Sequence, residues 1–181
     1  MIKPWKRAST QTLADYRIFR VRSDVKVSPI SGREHDFYVI DCVNWVNVIA
    51  RTPQDELVMI EQYRHGSETV ELEAPGGMID PEDASPVAAA VRELREETGY
   101  EGKSARIIGE VFPNPAIMSN VCYTVFIDDC RPAGPVDFDA TEDLLTRLVP
   151  ATEAGALVRA GKIRHSLVTA ALFHYDLLRR G

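Results

Sequence analysis

Three glutamates, Glu93, Glu96 and Glu97, stand within five residues of each other in the run R-E-L-R-E-E at 92–97. Two adjacent glycines, Gly76 and Gly77, lie upstream. Hard divalent cations such as Mg²⁺ or Mn²⁺ take carboxylate and carbonyl oxygens as ligands, and one helix carrying three carboxylates on a single side offers several at once. The plain alternative is a solvated, charged helix surface, which is what most charge runs are. Two details argue against it. Glu93 and Glu97 are like charges at i,i+4, a spacing at which they repel. The paired glycines also allow a backbone to approach another group closely.

The element that must position these carboxylates is a helix over Pro86–Thr98. Ser85 is a good N-cap, Pro86 suits the first helical position, and Gly99 suits the left-handed position just past the end. At about 100° per residue, Val87, Val91, Leu94 and Thr98 fall on one stripe and are expected to face the core. The glutamates fall roughly opposite, with only Ala89 and Ala90 beside them. Strands are expected at 17–22, 24–28 and 35–41, with a turn at Ser31 and Gly32, and at 45–51 and 57–63, joined by a polar turn. Further strands are expected at 68–73, 105–112, 121–128 and 144–150. Two closing helices are expected at 153–160, capped by Thr152, and 166–179, the second with Leu167, Ala171, Tyr175 and Leu178 on its buried stripe. Strands grouped around a few helices argue an α+β fold.

With 181 residues, 45% of them hydrophobic, the chain is long enough for a domain with a real core. Its 21 basic and 27 acidic residues leave a net charge of −6. That is a poor balance for binding nucleic acid or an anionic membrane, and neither partner is expected. Cys42, Cys122 and Cys130 show no paired or metal-like spacing, as expected of reduced thiols in a cytoplasmic protein. There is no signal-peptide apolar core and no run of about eighteen apolar residues.

The segment R-E-L-R-E-E-T-G-Y at 92–100, with Gly76 and Gly77 upstream, resembles the signature of the Nudix hydrolases. In that pattern a glycine, a glutamate after five further residues and, after seven more, R-E-U-x-E-E-x-G-U follow in order. Arg92, Glu93, Leu94, Glu96, Glu97, Gly99 and Tyr100 match. Fourteen residues separate Gly77 from Arg92, where the pattern has thirteen. Ala84 therefore stands where the first glutamate belongs, and Glu82 and Asp83 are the two candidates for its role. Gln62, Tyr63 and Arg64, the run E-L-E-A-P-G-G ending at Gly77, Asn114 and Pro115, residues 141–143 and residues 161–163 are similar to the ADP-ribose pyrophosphatase branch.

The resemblance implies a mixed sheet in an α/β/α sandwich at 43–181, preceded by an antiparallel β region at 1–42. It implies a Mg²⁺- or Mn²⁺-dependent cleavage of a nucleoside diphosphate sugar, with ADP-ribose giving AMP and ribose 5-phosphate. It implies Glu93, Glu97 and the Gly76 carbonyl as metal ligands, with Glu96 beside them, and a late acidic residue, Glu142, as base or further ligand. Glu142 could equally be part of a solvated acidic loop, and Asp139 stands beside Ala140, where relatives often have a second glutamate. Arg64 is the expected pyrophosphate contact. Phe37 and Phe19 are the candidate platforms for the base, each with core packing as its alternative. The branch also implies a homodimer that exchanges N-terminal strands. GDP-mannose, another nucleotide sugar or a dinucleotide would satisfy the same motif. A regulator that kept the fold without hydrolysis is the reading from another class, opposed by the presence of all three glutamates.

Overall fold

The computed structural model describes residues 1–137 and 143–181. Within them the chain divides into two compact units, Met1–Val43 with Phe112–Val121, and Asn44–Val111 with Cys122–Gly181.

In the smaller unit, β1 (Lys6–Asp15), β2 (Phe19–Val27) and β3 (Glu34–Cys42) form an antiparallel sheet in that order. The segment Phe112–Val121 joins β3 through Ile40, whose N–H donates to the Ile117 carbonyl at 2.7 Å. The expected strands 17–22 and 24–28 are one strand, β2, and β1 was not foreseen. Nearly every β1 side chain is exposed, so the apolar alternation that betrays a half-buried strand is missing, and only backbone pairing with β2 defines it. Within these three strands only Asp24 is fully buried. It takes a 2.7 Å hydrogen bond from the Thr10 hydroxyl, and lies 3.5 Å from Arg22 and 3.6 Å from Arg7.

The larger unit is a mixed sheet of six strands among the described residues. These are β4 (Trp45–Arg51), β5 (Glu56–Arg64), β6 (Thr69–Glu73), β7 (Tyr100–Val111), β8 (Cys122–Pro132) and β9 (Leu144–Pro150). The order is β6-β5-β4-β8-β7, with β9 on β5, and β4 and β8 run parallel while the other pairs are antiparallel. β4 alternates between two cores. Val46, Val48 and Ala50 pack with α1 (Pro86–Thr98), and Ile49 packs with α2 (Ala154–Arg159) and α3 (Ser166–Arg180). A strand buried on both faces reads as a continuous apolar run, as V-N-V-I-A does here.

Helix α1 has the expected ends. Ser85 Oγ accepts from the Ala88 N–H at 3.1 Å, and Gly99 adopts a left-handed φ of 72°. Its buried face includes Leu94 and Thr98 as expected and departs from the expected stripe at the valines. Ala89, Ala90, Leu94, Glu97 and Thr98 are buried, Val87 is half-buried and Val91 is 44% exposed. The alanines let the helix approach the sheet closely, whereas valines at that contact would hold it away. Helix α3 buries Ala171 and Tyr175 as expected and packs Leu178 partly against the core, and it adds Val168 and Leu172 to the buried face, while Leu167 is only half-buried. Two contacts set that rotation. Tyr175 stacks on Phe126 at 5.7 Å, and the His174 ring occupies the space over Gly109 while bonding Thr124 Oγ1 at 2.9 Å. Thr152 makes no cap for α2, whose N-cap is Glu153 with no side-chain bond.

Candidate active site

The glycine turn is laid along β4 like a short extra strand. The Val48 N–H donates to the Pro75 carbonyl at 2.8 Å and the Val46 N–H to the Gly77 carbonyl at 2.9 Å. In extended backbone successive residues point opposite ways, so Gly76, between these two, turns its polar groups away from β4. Its N–H donates to Glu97 Oε2 at 2.9 Å. A side chain at Gly76 would run into the Val46 carbonyl oxygen, and one at Gly77 would run into the Glu93 carboxylate. Both glycines are therefore demanded by close approach, Gly76 to the sheet and Gly77 to the helix.

The carboxylates are graded in depth. Glu97 is 3% exposed, the Glu93 side chain is mostly buried and that of Glu96 is more open. The repulsion expected between Glu93 and Glu97 is met by separate partners. Glu97 takes the Gly76 N–H, and Glu93 takes Arg92 Nη1 at 3.0 Å.

Arg92 ties loop and helix together. Its Nε and Nη2 grip Asp83 at 3.2 and 2.9 Å, Nη2 also donates to the Met78 carbonyl at 3.1 Å, and Nη1 reaches Glu96 at 2.9 Å. Asp83 in turn accepts from the Asp80 N–H at 2.9 Å. The Arg92 guanidinium, first among the causes, holds the Asp83 carboxyl below the usual carboxylate range against the opposing effect of burial. Of the two candidates for the missing glutamate's role, Asp83 is the one that Arg92 holds, and the loop that is one residue longer still closes onto Arg92. The sequence reading gave Arg92 no task. Its i,i+4 spacing to Glu96 was the available signal.

Glu93, Glu96, Glu97, Asp80 and Asp137 line one pocket of about 530 Å³ with Arg64, Arg92 and the glycine turn. Among the described residues, five carboxylates against two guanidiniums leave it strongly negative. Among the described residues no three acidic, thiol or imidazole groups converge on a single point. Arg92 holds Glu93 and Glu96, and the Gly76 N–H holds Glu97. The donor set nonetheless fits a hard divalent cation, since its groups are all oxygen and carry excess negative charge.

Arg64, at the end of β5, reaches the same pocket with its guanidinium held by the buried Glu73 in two bonds of 2.9 and 2.8 Å. Such a clamp fixes the plane of the fork before any ligand arrives. The late loop is anchored as far as Asp137, whose N–H donates to the Glu96 carbonyl at 2.9 Å, while Arg95 bonds the Pro135 carbonyl at 2.8 Å. Glu142, Asp139 and Ala140 lie outside the described residues. Phe37 and Phe19 belong to the smaller unit. Phe37 is exposed, meets the edge of Trp5 at 5.4 Å and carries Lys26 over its ring, while Phe19 packs on Tyr16 at 5.2 Å. Trp45 is a partly buried strand residue, Cys122 is core, and His65 is an exposed turn residue.

A model of the NUDIX domain matches residues 43–172. The chain is 27% identical over 177 residues to an ADP-ribose pyrophosphatase of Mycobacterium tuberculosis, covering 96% of this chain and 84% of that one. It is 34% identical over 153 residues to an ADP-sugar pyrophosphatase of Mus musculus, covering 76% and 66%. A crystal structure of an ADP compounds hydrolase superposes with a TM-score of 0.87 over 100% of this chain and 97% of that one, at 23% identity.

Proposed function

The chain belongs to the Nudix family, and from that membership we propose that it hydrolyses the pyrophosphate bond of ADP-ribose to AMP and ribose 5-phosphate. The observation that carries the reading is the acidic pocket, in which Glu97 is bonded to the Gly76 N–H and Arg64 faces the glutamates of α1. Such a pocket repels a bare pyrophosphate and suits one that arrives with cations.

Glu93, Glu97 and the Gly76 carbonyl, with Glu96 beside them, would hold the Mg²⁺ or Mn²⁺. A divalent cation there neutralises phosphate oxygens and acidifies a water. The remaining tasks belong to the chain. Arg64, its fork fixed by Glu73, binds two phosphate oxygens at once and orients the diphosphate for attack. Arg92 and Asp83 keep the glycine turn against α1, so that Gly76 and Glu97 stay in register. Glu142 takes the proton of the attacking water. Phe37 or Phe19 stacks on the adenine. The protein acts in the cytoplasm as a homodimer in which exchanged N-terminal strands, from the region 1–42, complete the partner's site on the domain 43–181. The exposed β1 and the exposed aromatic face of Trp5 and Phe37 support that arrangement.

The test is a substrate panel. With Mg²⁺ and then Mn²⁺, kcat/KM should be highest for ADP-ribose among ADP-ribose, GDP-mannose, NADH and dinucleoside polyphosphates. A preference of tenfold or more for another member would move the assignment to that substrate.

A further inference from the structure

Beside the acidic pocket, and sharing Arg64 with it, lies a second cleft of about 600 Å³ whose character is the reverse. It is formed by the turn between β5 and β6 and by the start of α3. Arg64, His65, Arg164 and His165 face it, together with the hydroxyl residues Ser67 and Thr69. Among the described residues its one carboxylate, Glu71, is already satisfied. It takes the Thr69 hydroxyl at 2.6 Å and both Nε and Nη2 of Arg164. The Thr69 hydroxyl first, and Arg164 after it, hold the Glu71 carboxyl below the usual carboxylate range. The two arginines are therefore built alike. Each guanidinium is gripped along one edge by a buried glutamate, Glu73 under Arg64 and Glu71 under Arg164, and the Arg164 side chain remains 55% exposed.

Two further features point to an anion. Helix α3, of 15 residues, opens on this cleft at Ser166 with no side-chain cap and no acidic residue in its first turn. Its leading N–H groups and the positive end of its dipole thus lack an anionic partner from the chain's own first turn. Next to it the Nδ1 of His165 is buried and has no hydrogen-bond partner. A buried imidazole nitrogen left unpaired is uncommon, and His165 is one of the residues that line the cleft.

We propose that this cleft binds a phosphate monoester directly, without a metal ion, and that the group is a second phosphate carried by the nucleotide sugar held in the acidic pocket. Arg64 lies at the junction, where one substrate can meet both sites. The proposal that the phosphate belongs to the substrate rests on the hydrolase reading above, while the presence of an anion site does not. The chain would then prefer a phosphorylated ADP-ribose to ADP-ribose itself.

Two measurements on the full chain separate these points. In the presence of a chelator, titration with inorganic phosphate should shift the imidazole NMR signals of His65 and His165 saturably. Arg164→Gln should abolish the shift, Arg164→Lys should keep part of it, and the exposed-turn variant His65→Asn should weaken binding without threatening the fold. With metal, kcat/KM for ADP-ribose 2′-phosphate or 1″-phosphate should exceed that for ADP-ribose about tenfold, and the ratio should fall towards unity in Arg164→Gln. A saturable shift without that preference assigns the cleft to free phosphate and overturns the substrate assignment. Absence of a saturable shift in the wild-type protein overturns the site itself. Phosphate binding in a protein that hydrolyses no member of the series would sink the hydrolase reading and leave the anion site standing.

Discussion

Glu97 holds a carboxylate almost out of contact with water, which is costly unless the oxygens are partnered. The Gly76 N–H is one such partner, so the residue links the glycine turn to the helix as well as lining the pocket. Glu97→Gln keeps an oxygen able to accept that bond and removes the charge. Turnover should fall roughly 100-fold or more with little change in melting temperature, and near-normal turnover in a steady-state assay would refute the metal assignment. Asp83→Ala makes the contrasting case. It leaves the Arg92 fork without its two hydrogen bonds to Asp83, at a cost of about 1.5–3 kcal/mol for charged hydrogen bonds. Activity should drop together with stability, and urea denaturation alongside kcat will show whether the two move as one.

At the scale of elements, α1 was readable at both ends and only half readable around its circumference, where Leu94 and Thr98 are buried as expected and Val91 is not. Ser85, Pro86 and Gly99 act locally, through caps whose chemistry depends on neighbouring residues alone. Which face is buried depends on how near the helix must come to β4 and β8, and that distance is set by the need to bring Glu97 to Gly76. Hydrophobicity favoured Val91 for the core, and proximity chose Ala89 and Ala90. β1 was illegible for a related reason: its partner is backbone, and backbone pairing leaves no mark on side-chain pattern. The candidate site was legible where the motif lies within one element, at Glu93, Glu96 and Glu97. It was not legible where partners meet across elements, as Asp83 meets Arg92 or Glu73 meets Arg64. The packing argument has a direct check. Ala90→Leu adds volume at a fully buried contact and should destabilise by about 1–3 kcal/mol. Because it lifts α1 from the sheet, it should also lower kcat more than a surface change of equal stability cost, measured by thermal melting and turnover on the same preparation.

For the molecule as a whole, acid sensitivity follows from carboxylates whose folded pKa lies below the usual range. Asp128 is held down first by the Arg51 fork, at 3.0 and 2.9 Å, and Glu71 first by the Thr69 hydroxyl. In the smaller unit the burial of Asp24 pushes its carboxyl up, but the Thr10 hydroxyl and nearby Arg22 and Arg7 together outweigh it. A depressed folded pKa contributes stability that is present above the unfolded carboxylate range, about 3.9–4.3, and lost as pH falls through the folded value. The urea midpoint should therefore decline steadily below about pH 4, and Asp128→Asn should make that decline shallower. The proposed strand exchange is tested at the same scale. Removal of residues 1–40 should abolish dimers in sedimentation and activity together, and a fully active truncated monomer would refute it.

The grip of Arg92 on Asp83 has one more consequence. Five residues separate Gly77 from Asp83, as in the pattern, and eight separate Asp83 from Arg92 where the pattern has seven, so the extra residue is absorbed after the carboxylate that the guanidinium holds. Natural variation among such chains should then gather between Asp83 and the start of α1 as insertions and deletions, with an acidic residue kept wherever Arg92 can reach it. Selection here counts carboxylates within reach of a guanidinium, and does not count residues.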